Sequence, residues 1–170
     1  MTRPRVLVAG LGDSGLLPAI HLSHHADVVG VSSKPALVSG QELGMRLARP
    51  DDWARDYWVP FDRFRRLDRT RTVHGTLTAL DPAARTVTVQ TADGETRSEP
   101  YDVLVISTGV SNGFWRRPDL QTSDEVGTEL SAAHERLAGA ASIMVVGGGA
   151  AAVSTALNLA TAWPEKQIEL

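Results

Sequence analysis

The feature that most constrains this chain is a glycine turn met twice, each time at the end of a short apolar run. Arg5-Val-Leu-Val-Ala9 enters Gly10-Leu-Gly-Asp-Ser-Gly15, and Ser142-Ile-Met-Val-Val146 enters Gly147-Gly-Gly-Ala-Ala-Ala152, 137 residues further on. Consecutive apolar residues read as parallel strands covered on both faces. The first turn fits Gly-x-Gly-x-x-Gly. Gly10 permits the tight exit from the strand, Gly12 lets the backbone approach a pyrophosphate, and Gly15 lets the following helix pack on the strand. The backbone N–H groups there, those of Asp13 and Ser14 included, and the helix dipole then hold the phosphates. The second turn repeats the spacing at Gly147, Gly149 and Ala152, with alanine third. A single glycine turn occurs in any α/β protein. Two, each with a strand before it and a helix after it, point to dinucleotide binding.

Asp27-Val-Val-Gly-Val-Ser32 is a second buried strand, so residues 5–32 form a βαβ unit. Its helix runs through His24, with Leu16, Leu17 and Ile20 inward and Pro18 removing one hydrogen bond. From Ser33 to Arg71 the pattern is irregular. Acids interleave with the arginines there and nearly cancel them, so a solvated, partly helical segment docked by Trp53, Tyr57, Trp58, Phe61 and Phe64 is expected. Arg71 to Ser98 alternates Val and Thr around Asp81-Pro82 and Asp93-Gly94, a small antiparallel meander. Tyr101 to Ile106 is expected as a central parallel strand ending in Ser107-Thr108-Gly109. After a polar link from Ser111 to Gln121, a capping box at Thr122 and Glu125 opens a helix. Val126, Leu130, Ala133 and Leu137 form its inner face and Gly139 its C-cap. The helix after the second turn reaches Trp163, Pro164 stops it, and Lys166 to Leu170 begins a strand.

Several chemistries drop out. The chain has no cysteine, which removes disulfide exchange, thiolate catalysis and cysteine-ligated metals. A net charge of −3 argues against nucleic acid as the partner. No apolar run approaches the ~18 residues of a membrane span. The N-terminus lacks the long apolar stretch of a secretory signal, so the cytoplasm is expected. Ser14 sits in a Gly-Asp-Ser-Gly string like that of a serine protease, but at a strand-to-helix turn with no companion motif. His21 and His25 lie one helical turn apart without a carboxylate at ligand spacing, and no metal site is expected. Tyr101 lacks the lysine of a short-chain dehydrogenase pair.

Three motifs together resemble the two-dinucleotide-fold flavoproteins of the pyridine nucleotide–disulfide oxidoreductase superfamily. The likeness is to the cysteine-independent branch of type II NADH dehydrogenases and apoptosis-inducing-factor-like enzymes. Val6 to Gly15 resembles the FAD pyrophosphate turn and Tyr101 to Gly109 the second FAD fingerprint, usually ending Ala-Thr-Gly. Ile143 to Gly149 resembles the start of an inserted NAD(P)H domain. The resemblance implies an α/β fold: a Rossmann-like FAD-binding domain with a small antiparallel meander over 1–138, then the start of a Rossmann-like NAD(P)-binding domain over 139–170. It implies FAD and NAD or NADP as cofactors, with hydride passing from NAD(P)H to FAD and on to a quinone or similar small molecule. Thr108, Gly109 and Leu77 are expected near FAD. A homodimer of a full-length form stays open.

Three positions depart from that pattern. About 20 residues after the first turn an acidic ribose ligand is usual; Val31-Ser-Ser-Lys34 stands there, and Ser33 or Lys34 is the expected contact to ribose or phosphate. Ser154 replaces the glutamate that follows the second turn in many relatives. The chain stops inside the second domain, before the family's late Gly-Asp motif. It is therefore expected to be a partial chain that does not turn over NAD(P)H alone, and the NAD-or-NADP choice is not legible. The competing reading is a non-catalytic dinucleotide-binding module.

Overall fold

The computed structural model describes residues 2–38, 43–109 and 119–170. By contacts the chain falls into two compact units, Met1–Val38 with Val59–Ser123, and Ser39–Trp58 with Asp124–Leu170. Most of the expected Ser111–Gln121 link lies outside the described residues.

The first unit is built on β1 (Arg5–Ala9), α1 (Asp13–Leu22) and β2 (Asp27–Ser32). After the three-residue strands β3 (Ala36–Val38) and, later, β4 (Trp58–Pro60), and two short 3₁₀ turns at Phe61–Arg63 and Arg65–Leu67, come β5 (Thr70–Asp81), β6 (Thr86–Thr91), β7 (Thr96–Pro100) and β8 (Val103–Ile106). Six strands form one sheet in the order β7-β6-β5-β2-β1-β8. β1 runs parallel to β2, with Val8 opposite Gly30, and parallel to β8, with Leu7 opposite Leu104. Strand β1 alternates between the two faces. Val6 and Val8 join Leu16, Ala19, Ile20, Val28, Phe61 and Leu67 on the side of α1. Leu7 and Ala9 join Val29, Val31, Val73, Val87 and Val89 on the other. A strand buried on both faces needs apolar residues at every position, hence the unbroken run. Complete burial of each Val or Leu is worth about 1.5–3 kcal/mol.

One expectation gains detail and a second needs correction. The antiparallel meander is continuous with the parallel sheet. β5 is one long strand whose Thr70–His74 half pairs parallel with β2, while Gly75–Asp81 pairs antiparallel with β6. A register shift between Leu77 and Ala79 marks a bulge; bulges bend and twist a sheet. The sheet curls enough that Glu99 of β7 reaches Arg5 of β1 (3.1 Å) and Arg71 of β5 (2.5 Å). Polar Thr70 and Arg71 hid the parallel half, because they break the continuous apolar run that marks a parallel strand. Second, β8 is not central. It ends the sheet order, and Val103 (49% exposed) and Ile106 (67%) lack cover among the described residues. An apolar run records what a strand can bury, not how many neighbours it has. At the β6–β7 turn the Thr91 hydroxyl, then the Glu95 amide, hold the Asp93 carboxyl below its ordinary range.

The second unit contains α2 (Leu43–Ala48), α3 (Pro50–Asp56), α4 (Ser123–Gly139), β9 (Ser142–Met144), α5 (Ala150–Ala162) and β10 (Gln167–Glu169). β9 and β10 form a two-stranded parallel sheet, Ile143 opposite Ile168. Helix α2 lies directly on α5: a Cβ added to Gly44 would come within 2.7 Å of Thr155 Cα. Trp53 of α3 is buried, edge-on to Trp58 at 5.9 Å and under the Arg46 guanidinium at 5.1 Å. Of the aromatics expected to dock this segment, Trp53 and Phe61 are buried and Trp58 and Phe64 half-buried, whereas Tyr57 is exposed. Leu130 and Ala133 of α4 are buried, with Val126 and Leu137 half-buried beside them. Beyond α4, Lys166 Nζ donates to the carbonyls of Ala138 and Ala140, both at 2.6 Å.

Candidate functional site

The first glycine turn lies between the carboxyl end of β1 and the start of α1, where open α/β sheets bind ligands. Gly10 has φ +96°, and a Cβ there would press to 2.7 Å from the Ser107 carbonyl carbon. Only glycine accepts that combination. At Gly15 a Cβ would collide with the Gly10 carbonyl and the Ser107 hydroxyl. Gly12 differs from both. It is the N-cap of α1 with extended backbone (φ −76°, ψ −166°), which any residue adopts, and nothing lies within 4 Å of its added Cβ. The helix starts cleanly over it: Gly15 and Leu16 donate to the Gly12 carbonyl at 3.1 and 3.0 Å. Asp13 and Ser14 are the first two residues of α1.

Long-range contacts fix the turn. Gly10 N donates to Val31 O (2.8 Å), and Ser107 N to Ala9 O (2.8 Å). Ser107 Oγ lies 3.0 Å from Ala9 O and 2.8 Å from Gly10 O. Leu11, fully buried, sits on Gly30 of β2, where a Cβ would come within 2.7 Å of its Cδ2. The expected neighbour Thr108 is adjacent, its Cα 3.0 Å from a Cβ built on Gly10. Gly109 follows with φ +74°. Leu77, partly buried, packs against the hydrophobic cluster that holds Leu7, Ala9 and Val31.

A polar group stands where β2 ends beside the middle of β5, at the last pair of their parallel ladder, Ser32 opposite His74. Lys34 Nζ donates to Asp119 O (2.6 Å) and meets Ser33 Oγ (3.3 Å), while Gln121 N donates to Ser33 O (2.9 Å). His74 Nε2 is 2.9 Å from Gln121 O. The lysine standing where an acid is usual is thus already oriented. Sequence reading missed Ser107, His74 and Gln121, whose partners are 47 to 98 residues away.

The second turn, in the other unit, has the same local form. Gly147 has φ +141°, Gly149 is the extended N-cap of α5 (φ −88°, ψ 169°), and nothing lies within 4 Å of its added Cβ. Ala152 and Val153 donate to Gly149 O at 3.0 and 3.1 Å. Ala152 fits the third position, its Cβ 3.3 Å from one built on Gly147. Ser154, in α5, has its carbonyl bonded by Asn158 Nδ2 at 2.8 Å. Among the described residues no group of three or more His, Asp or Glu side chains could hold a metal ion, and no helix is long and apolar enough to cross a membrane.

A curled, mostly parallel sheet with a glycine turn at the start of α1 defines a Rossmann-like α/β dinucleotide-binding fold. Residues 4–167 match the family model of the pyridine nucleotide-disulphide oxidoreductases. The chain belongs to that family, whose cofactors are FAD and NAD(P). It is 32% identical to the oxidoreductase phnG of Penicillium herquei over 108 residues, 60% of this chain and 26% of that protein. The fold is similar to that of the NAD-dependent persulfide reductase of A. fulgidus (TM-score 0.69, 20% identity, 96% of this chain and 33% of that one). It is likewise similar to the sulfide:quinone oxidoreductase of the hyperthermophilic bacterium Aquifex aeolicus (TM-score 0.69, 21% identity, 97% and 42%). The chain thus spans between a quarter and under half of the length of these relatives.

Proposed function

We propose that the turn at Gly10, Gly12 and Gly15 binds the pyrophosphate of FAD, and that the turn at Gly147, Gly149 and Ala152 binds that of NAD(P)H. Residues 1–138 then serve as an FAD-binding domain and 139–170 as the start of an NAD(P)-binding domain. The reaction is hydride transfer from NAD(P)H to FAD and onward to a small-molecule acceptor of the quinone type. Two proteins of similar fold, an NAD-dependent persulfide reductase and a sulfide:quinone oxidoreductase, support that class.

One observation carries the reading. Gly10 and Gly15 are demanded by the fold itself, but Gly12 and Gly149 are not. Their backbone suits any residue, and the space over them is open. Glycine at a helix start costs chain entropy, and an open face over N–H groups is where a phosphate approaches closely. The residues therefore fit the cofactor. Asp13 and Ser14 supply N–H groups to phosphate, Ser33 and the oriented Lys34 stand at the ribose end, and Thr108 and Gly109 line the side of β8. When bound, the flavin supplies the hydride-accepting chemistry; this chain's share is binding and orientation.

Titration of the chain with FAD, followed by flavin fluorescence, tests the reading. Saturable binding is expected, and Gly12→Val should weaken it about tenfold or more, since even a loss of one contact's worth of free energy is tenfold, while the circular dichroism spectrum stays unchanged. Parent-like binding by Gly12→Val, or no binding by the parent, overturns it. NADH and NADPH oxidation with a quinone is expected to be absent from the chain alone. Donor and acceptor must be held within about 3.5 Å, and the second unit leaves Met144 and Val146 exposed just before its turn. Steady turnover lost on Gly147→Val would overturn that part.

A further inference from the structure

We propose that Ser107 is a positioning residue for the pyrophosphate, a hydroxyl clamp that sets the plane of the first peptide of the glycine turn. This rests on the reading that the first turn binds a dinucleotide. The carbonyls of Ala9 and Gly10 lie where β1 stops, and Ala9 is wholly buried. Buried carbonyls need donors. Ser107 N continues the ladder to Ala9 O, and Ser107 Oγ, with a single proton, lies within 3.0 Å of Ala9 O and 2.8 Å of Gly10 O. The hydroxyl occupies the space vacated by the missing side chain of Gly15, since a Cβ there would strike Ser107 Oγ and Gly10 O together. Gly10, Gly15 and Ser107 are thus one interlocked set, and the third glycine of the motif makes room for a side chain as well as for helix packing.

The consequence for binding follows from peptide geometry. A trans peptide points its C=O and N–H in opposite directions. Tying Gly10 O to Ser107 turns the Leu11 N–H away from β8 and fixes the entry to Gly12, the open position at the head of α1. Alanine at 107 keeps the ladder bond from its backbone N–H and removes only the hydroxyl. The turn then retains its place but loses the constraint on the Gly10–Leu11 peptide, and the cost falls on ligands that need the phosphate-binding N–H groups in register.

The test compares the parent, Ser107→Ala and Ser107→Cys for binding of FAD, ADP and adenosine, with Gly12→Val as the control on the site. Ser107→Ala is expected to lose about three- to tenfold in affinity for FAD and for ADP, the range of one hydrogen bond. Adenosine, which carries no phosphate, should be unaffected, whereas general loosening of the unit would weaken all three. Ser107→Cys keeps a side chain in the pocket but donates weakly; it should show the same selective loss, and it decides the matter if the alanine variant fails to fold. Parent-like ADP affinity in whichever variant folds, or an equal loss for adenosine, overturns the clamp. If Gly12→Val also binds ADP like the parent, the site reading falls with it; if Gly12→Val is impaired, only the role of Ser107 falls.

Discussion

The two glycine turns share their local geometry and differ in what holds them. In each, a positive-φ glycine leaves the strand and an extended glycine caps the helix, with the third position taken by Gly15 in one and Ala152 in the other. The first rests on β1, where Leu7, Val8 and Ala9 are fully buried between strands on both sides. The second rests on β9, where only Ile143 is buried and Met144 is 69% exposed, and Val146 beyond the strand is 89% exposed. A motif of local sequence therefore makes the turn, and long-range packing decides whether it is rigid. Apolar burial at about 25 cal/mol per Å² is the dominant stabilising term, so the first turn is held more firmly than the second.

The sharpest way to break the comparison is to place alanine at its two matching glycines. Gly10→Ala meets both a positive φ and the Ser107 backbone, which has no freedom to withdraw. Strain of this kind costs 1–3 kcal/mol and overpacking a similar amount, giving about 3–5 kcal/mol in urea denaturation of the first unit. Gly147→Ala meets a positive φ as well, but its nearest neighbour is the Ala152 methyl at 3.3 Å. About 1–2 kcal/mol is expected there. Equal costs at both positions would mean that the surroundings do not separate the turns.

What the sequence disclosed follows the same division. β1 and β2 were legible because a parallel strand buried on both faces leaves no polar position between its ends. The glycine spacing was legible because the turn is local. The parallel half of β5 was not, since Thr70, Arg71 and Thr72 alternate with nothing to mark a parallel partner. Nor was Ser107, which reads as an ordinary variant of Ala-Thr-Gly until its hydroxyl is seen across 98 residues of chain on Ala9. His74 and Gln121 escaped for the same reason: a hydrogen bond between elements distant in sequence leaves no periodic trace. The small-residue contact of Gly44 on Thr155 escaped because a glycine in a helix gives no hint of which helix it touches.

A smaller effect tests the curl that covers the first turn's lower cluster. Glu99 is 6% exposed and shares one carboxylate oxygen between Arg5 and Arg71, tying β7 to β1 and β5. Removing one member of a buried ionic group is costly because the others stay behind. Here both guanidiniums reach solvent, with side chains 39% and 46% exposed, and screening reduces the effect. Glu99→Gln should cost about 1–2 kcal/mol in denaturant unfolding, with FAD affinity unchanged. A cost below a few tenths would show that packing of Val87 and Val89 holds the curl without the ion pairs.

The smallest expected effect lies in the second unit, where polar capping substitutes for missing core. Lys166 comes from the loop between α5 and β10, yet its ammonium bonds the carbonyls of Ala138 and Ala140 at the end of α4 and lies 5.6 Å over the Trp163 ring. The last carbonyls of a helix have no intrahelical donor, and a cation there also meets the negative end of the dipole. Each such term is worth a few tenths to about 1 kcal/mol at a surface site. Lys166→Met keeps much of the stem and removes the charge and the donors. It should lower the stability of the second unit by about 0.5–1.5 kcal/mol, leave the first unit unchanged, and lose part of its effect in high salt, because the parent's dipole contribution is screened. Amide exchange read residue by residue would show the change as faster exchange in the last turn of α4 and in β10, with β1 and β2 unaffected. An equal acceleration in β1 would mean that the two units unfold as one, and that the contrast between the two turns is one of exposure but not of stability.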